Sequence, residues 1–77
     1  MKLNSETEIS FIQKSFANTL IEIYDILSRR VATYPIGFYN TGKQKVRINM
    51  NGFQNGFYYF IIRTNNDIQK GVVILQK

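Results

Sequence analysis

The chain has 77 residues, of which 44% are hydrophobic and 14% aromatic, and it carries a net charge of +5 with no cysteine and no histidine. This length forms one small domain that buries only roughly 60% of its unfolded surface, and the aromatic content argues against intrinsic disorder. No apolar run reaches the roughly 18 residues of a membrane-spanning helix, and a chain without cysteine has no disulfide framework.

The N-terminus lacks the apolar stretch and the cleavage site of a signal peptide. We expect residues 1–5 to be a disordered N-terminal segment or an artificial start. Residues 6–77 are then expected to form the folded domain.

Residues 6–31 carry two conflicting patterns. Large apolar residues recur at helical spacing, and Ser5 with Glu8 matches a helical capping box. Ile9 alternates with Phe11, however, as the apolar residues of a half-buried strand do. Periodicity does not decide between a helix and strands in short apolar runs, so this segment is either one helix or two strands.

The remaining residues alternate as β-strands do, between turn signals. Turns are predicted at 51–52, 55–56 and 65–67, and loops at 35–37 and 41–42. Their spacing is typical of a sandwich or barrel. The predicted strands are 7–13, 19–25, 29–34, 44–50, 57–63 and 68–76, with a further short strand near 37–40. Both faces of 57–63 are apolar, which indicates a covered central strand or an exposed aromatic patch.

Candidate catalytic chemistry is sparse. Without histidine and cysteine, the commonest metal ligands and most nucleophile–base arrangements are missing. Glu22 and Asp25 would lie on opposite faces of one strand, which makes a poor carboxylate pair. Asp25 is expected to bond nearby backbone amides rather than calcium, because no cluster of oxygen ligands surrounds it in the sequence. We therefore predict no enzyme activity, no metal and no cofactor.

Two further sets of residues allow either a binding role or a structural role. One is a set of basic residues, which are either a face for an anionic partner or a solvated surface. It comprises Arg29, Arg30, Lys43, Lys45, Arg47 and Arg63. The other is a set of aromatics that either stack on sugars or bases or pack between sheets. It comprises Phe38, Tyr39, Phe53, Phe57 and Tyr59.

Four segments occur in a recurrent order: TEISF at 7–11, IEIYDILSRRV at 21–31, GFY at 56–58 and a terminal apolar strand. This order resembles the C-terminal sorting domain (type A) of the type IX secretion system, and it is similar to the related Ig-like domain of the flagellar hook capping protein. The positions that match the family motifs are Tyr24, Asp25, Arg29, Gly56 and Tyr58. Two positions depart from the pattern. Ser28 stands where the family prefers glycine. Gly71 stands close to the position at which the family usually has lysine, and the lysine of this chain, Lys70, comes one residue earlier.

The resemblance implies an all-β, small Ig-like antiparallel β-sandwich of about six or seven strands. It implies a non-catalytic C-terminal signal that directs a larger protein through the periplasm of a gram-negative bacterium, across the outer membrane, to the cell surface or the medium. Its partners would be the outer-membrane secretion machinery, a sortase-like peptidase and an N-terminal cargo domain of the same chain, with no nucleic acid. Because both faces of the strand at 57–63 are apolar, we also expect a weak homodimer. The alternative is an accessory spacer or carbohydrate-binding module of a secreted enzyme.

The terminal strand and the turn before it are the expected recognition element, which docks in part by backbone pairing at a sheet edge. Its residues are Asn65, Asn66, Asp67, Lys70, Val72, Val73, Ile74, Leu75, Gln76 and Lys77. Deletion of the last few residues is expected to abolish export and to leave the domain folded.

Overall fold

Six antiparallel strands make up the computed structural model, which describes residues 6–65 and 67–76. The strands are β1 (Glu6–Gln13), β2 (Ala17–Tyr24), β3 (Arg30–Tyr39), β4 (Gly42–Asn49), β5 (Gly56–Arg63) and β6 (Ile68–Leu75). The predicted all-β class and the strand number are therefore confirmed. The described residues include no helix long and apolar enough to cross a membrane. The expected disorder of residues 1–5 lies outside the described residues.

The helical alternative for residues 6–31 is wrong. Ile9 and Phe11 are buried on the same face of β1, as strand alternation requires. Ile12 and Phe16, which supported the helical spacing, are 57% and 64% exposed. The helical pattern thus combined residues from the two faces of a strand and from a turn, and Glu8 of the capping box lies within β1.

The strands form two sheets, one with the order β1-β4 and the other with the order β3-β2-β5-β6. β2 pairs with both β3 and β5, whereas β6 pairs with β5 and forms an edge of the four-stranded sheet. Apolar side chains from the inner faces of both sheets form one core, as in a β-sandwich. The buried members are Ile9, Phe11, Ile21, Ile23, Val46, Ile48, Met50, Ile62, Val73 and Leu75.

One predicted loop is absent, because residues 35–37 lie within β3. The separate strands predicted at 29–34 and near 37–40 are therefore one long strand. Thr19 pairs with Gly37 and Leu20 with Pro35, which leaves Ile36 as the extra residue of a bulge. Gly37 has a φ of 88°, and β3 is an edge strand, where proline is tolerated. The turn at 51–52 forms as predicted, and the Phe53 N–H donates to the Met50 carbonyl oxygen at 3.1 Å.

The surroundings of Gly71 leave no room for the lysine that the family pattern has close to this position. It pairs across the ladder with Phe60, and a β-carbon at this position would overlap the Phe60 ring. Lys70 pairs instead with Ile61 and is exposed on the opposite face of the sheet. A lysine at position 71 would therefore have to displace the Phe60 ring from the core side.

We expect Gly71→Ala to lower the free energy of unfolding by about 1–3 kcal/mol, because the added methyl group overpacks the space that the ring fills. Urea unfolding followed by circular dichroism measures this loss. In a Phe60→Leu background the same substitution should cost clearly less. An equal cost in both backgrounds would contradict the proposed overlap.

Candidate functional site

The turn after β2 is built around the Asp25 carboxylate. Its Oδ1 atom accepts hydrogen bonds from the Leu27 and Arg29 backbone N–H groups, both at 2.9 Å. Its Oδ2 atom accepts one from Arg29 Nε at 2.8 Å. These bonds, first the backbone bond from Arg29 and then its side-chain bond, hold the pKa of Asp25 below its usual value. The predicted turn role of Asp25 is confirmed, and Arg29 fixes that turn.

Ser28 has a φ of 64°, in the left-handed region that favours glycine. Its N–H donates to the Asp25 carbonyl oxygen at 3.0 Å, so the turn requires this backbone conformation. The family preference for glycine at this position thus has a direct steric reason.

We predict that Ser28→Gly raises the free energy of unfolding by about 0.5–1 kcal/mol, because relief of the left-handed strain outweighs the greater freedom of glycine in the unfolded chain. Thermal unfolding measures the gain. Ser28→Ala keeps the β-carbon and should give no such gain. Equal stabilisation by both variants would show that strain is not the cause.

The other motif positions support the core. The half-buried Tyr58 ring packs edge-on against Phe53, with centroids 5.6 Å apart, and its hydroxyl donates to the Gln54 carbonyl oxygen at 2.6 Å. Gly56 begins β5 with a φ of 146°, opposite Leu75. The G-x-Y motif therefore starts the strand and seats a core ring.

The predicted aromatic set does not form one strip. Phe38 stacks on Phe16 near the start of β2, and Tyr39 packs against Phe11. Only Phe57 and Tyr59 lie exposed together, 58% and 47% respectively, on the outer face of β5. A continuous stacking surface over all five predicted aromatics is therefore ruled out.

The predicted basic face is also divided. Arg29 pairs with Asp25, and Arg47 approaches Glu6 at 3.9 Å. Lys43 and Lys45 lie exposed with Arg47 on the two-stranded sheet. The remaining members, Arg30 and Arg63, lie on the other sheet, where both bind one carboxylate.

That carboxylate belongs to Glu22, at the centre of the outer face of the four-stranded sheet. Its side chain is only 6% exposed. Oε1 accepts hydrogen bonds from Arg63 Nε at 2.6 Å and from the Tyr24 hydroxyl at 3.1 Å, and Oε2 accepts one from Arg30 at 3.2 Å. The Arg63 bond is the main cause that lowers the pKa of Glu22. Sequence reasoning missed this cluster, although a lone carboxylate in the apolar run IEIY was a signal for it.

The lowered pKa of Glu22 predicts a loss of stability in acid. The folded pKa lies below the unfolded value of about 4.3, so the stabilisation is present above that pH and is lost as the pH falls through the folded pKa. At neutral pH, Glu22→Gln should cost about 1 kcal/mol, since charged hydrogen bonds are lost beside partly exposed arginines.

Urea unfolding at several pH values between about 7 and 3 tests this expectation. Glu22→Gln should flatten the fall in stability relative to the wild type, and Arg63→Gln should flatten it as well. Curves for the variants that run parallel to the wild-type curve would contradict this role of the cluster.

The expected recognition residues divide by their position on β6 and its turn. Thr64 N–H donates to the Asp67 carbonyl oxygen at 2.9 Å, which closes the turn, while Asn66 and Lys77 lie outside the described residues. Asn65, Lys70, Val72, Ile74 and Gln76 are exposed. Val73 and Leu75 are 5% and 4% exposed and belong to the core. Their side chains are therefore not free for a partner, and a terminal deletion that removes them would damage the fold.

The backbone of β6 is open along one side. Within residues 6–65 and 67–76, only the start of the strand meets β1, where Gln69 Oε1 accepts a hydrogen bond from Ile12 N–H at 3.3 Å and Gln69 Nε2 donates to the Ile12 carbonyl oxygen. Beyond that contact, among the described residues, Val72–Leu75 have ladder partners only in β5. The strand thus offers an edge for a further strand.

An apolar patch adjoins this edge on the outer face. It consists of two directly opposed pairs, Phe57 with Ile74 and Tyr59 with Val72. All four side chains are 47% to 58% exposed. We call these four residues the β5–β6 patch. Apolar side chains exposed side by side in this way are typical of interaction sites.

These features define a small all-β module whose distinctive surface is a terminal hairpin. The described residues contain no group of three or more His, Cys, Asp or Glu side chains that could hold a metal ion. A family model described as the secretion system C-terminal sorting domain matches residues 3–76, so the chain belongs to that family. The members of such a family are sorting signals. No curated protein and no solved structure matches the chain.

Proposed function

We propose that this domain is the C-terminal sorting signal of a larger secreted protein and that the type IX secretion machinery binds it at β6. Membership of the sorting-domain family over residues 3–76 is the observation that carries this proposal. The cargo passes through the periplasm of a gram-negative bacterium and crosses the outer membrane. A sortase-like peptidase then removes the domain.

The open edge of β6 favours docking by strand addition. In this binding mode backbone hydrogen bonds supply affinity, and alternate side chains supply specificity. The outward residues Val72 and Ile74 are exposed for that second purpose, while Val73 and Leu75 anchor the strand in the core. Lys70, which is exposed near the start of β6, extends the same outer surface.

An export assay tests this proposal without disturbing the core. The chain is fused to the C-terminus of a reporter that carries a signal peptide, and surface reporter is measured in a bacterium with a type IX system. The double variant Val72→Thr/Ile74→Thr should reduce surface reporter by about tenfold, which corresponds to a loss of about 1.4 kcal/mol in recognition. Threonine keeps the strand propensity, so the domain should stay folded.

Ile12→Thr is the matched control, because Ile12 is equally exposed, at 57%, on β1. It should export normally. Normal export of the double variant, with circular dichroism showing a folded domain, would contradict docking at β6. Light scattering measures the oligomeric state of the wild type and of both variants. If the wild type is a dimer and only the double variant is a monomer, the β5–β6 patch binds a second copy of the chain instead.

A further inference from the structure

A shallow depression lies on the outer face of the four-stranded sheet, beside the Glu22 cluster. Its volume is about 270 Å³. Tyr24 and Tyr59, which are direct partners across β2 and β5, line it together with Ile61 and Lys70. The two tyrosines give the depression an apolar aromatic lining, while the Tyr24 hydroxyl donates to Glu22.

The charge around this floor is positive. Lys70 pairs in the ladder with Ile61, which pairs in turn with Glu22, so its side chain projects from the same face as the cluster. Among the described residues it has no ion-pair partner. Arg30 and Arg63 each bind Glu22 through one nitrogen, and their side chains are 59% and 42% exposed. Two arginines thus bind the one carboxylate, and Lys70 adds a third cationic side chain two strands away on the same face.

We propose that this face binds an acidic saccharide, a sugar whose ring carries a carboxylate. The apolar face of a sugar ring matches the tyrosine floor, and a few polar groups around an apolar floor are typical of small-molecule sites. Lys70, which lines the depression, and the exposed guanidinium groups of Arg30 and Arg63 beside it provide charge-assisted hydrogen bonds for the carboxylate. Glu22 fixes the two arginines in place and satisfies only part of their donors.

The charge disfavours the other occupants of such a face. A second copy of the chain would bring its own cationic face against Lys70 and the arginines. A single-stranded nucleic acid needs a basic groove that follows several phosphates, whereas the neighbouring row on this face, Phe57 with Ile74, is apolar. One acidic sugar unit matches the single cluster of charge beside a short floor. The proposal is independent of the sorting function.

An NMR titration of the ¹⁵N-labelled domain tests the proposal with tetragalacturonate as the probe. Its methyl ester has the same backbone without the negative charges. The acid should shift the amide signals of Tyr24, Tyr59 and Lys70 in a saturable manner with a Kd of about 1 mM, and the ester should bind at least about fivefold more weakly.

Matched variants test the contributions of the Lys70 charge and the Tyr59 ring to binding. Lys70→Gln and Tyr59→Val should each weaken binding of the acid by about fivefold, which corresponds to about 1 kcal/mol. Lys43→Gln removes the same charge from an exposed strand position on the other sheet and should leave the affinity unchanged.

Four results would overturn the proposal. They are no saturable shift at about 10 mM tetragalacturonate, equal binding of the ester, shifts confined to β1 and β4, or equal losses in Lys70→Gln and Lys43→Gln. The spectrum of each variant also shows whether it is folded. Affinities are therefore compared only between folded variants.

Discussion

The fold depends on the apolar contact between the inner faces of its two sheets. In the described part of the chain, no strand of one sheet shares a backbone ladder with a strand of the other, so apart from the connecting turns it is side chains that join them. Ile21 and Ile23 of the inner strand β2 are fully buried in this core, which also includes Val46 and Ile48 of β4. Full burial of one such side chain is worth about 1.5–3 kcal/mol, which makes this core the main term that opposes the loss of chain entropy.

The same contact makes β6 suitable as a docking strand. Alternation places Val73 and Leu75 in the core and Val72 and Ile74 on the surface, so one strand is anchored and exposed at once. An edge held rigid in this way has little entropy left to lose when a partner strand pairs with it. A terminal truncation therefore affects both folding and recognition, whereas substitutions on the outer face change recognition without disturbing the core.

Much of this structure was predictable from local patterns. Alternation predicted the buried face of β4, and the Tyr-Asp motif predicted the turn that Asp25 and Arg29 close. The helical pattern in residues 6–31 misled because apolar residues also occupy exposed positions such as Ile12. The Glu22 cluster was not predictable, since Arg30 and Arg63 are 8 and 41 residues away in sequence and only strand order unites them. The bulge in β3 likewise depends on register, which sequence periodicity does not report.

Surface display of a reporter fused to the intact domain tests the central claim most directly. The fusion is expressed with a signal peptide in two isogenic strains, one with the type IX machinery and one without it. The account predicts a reporter at the cell surface in the first strain and a reporter retained in the periplasm in the second. Retention in both strains, or display in both, would contradict the assignment of this domain as a sorting signal.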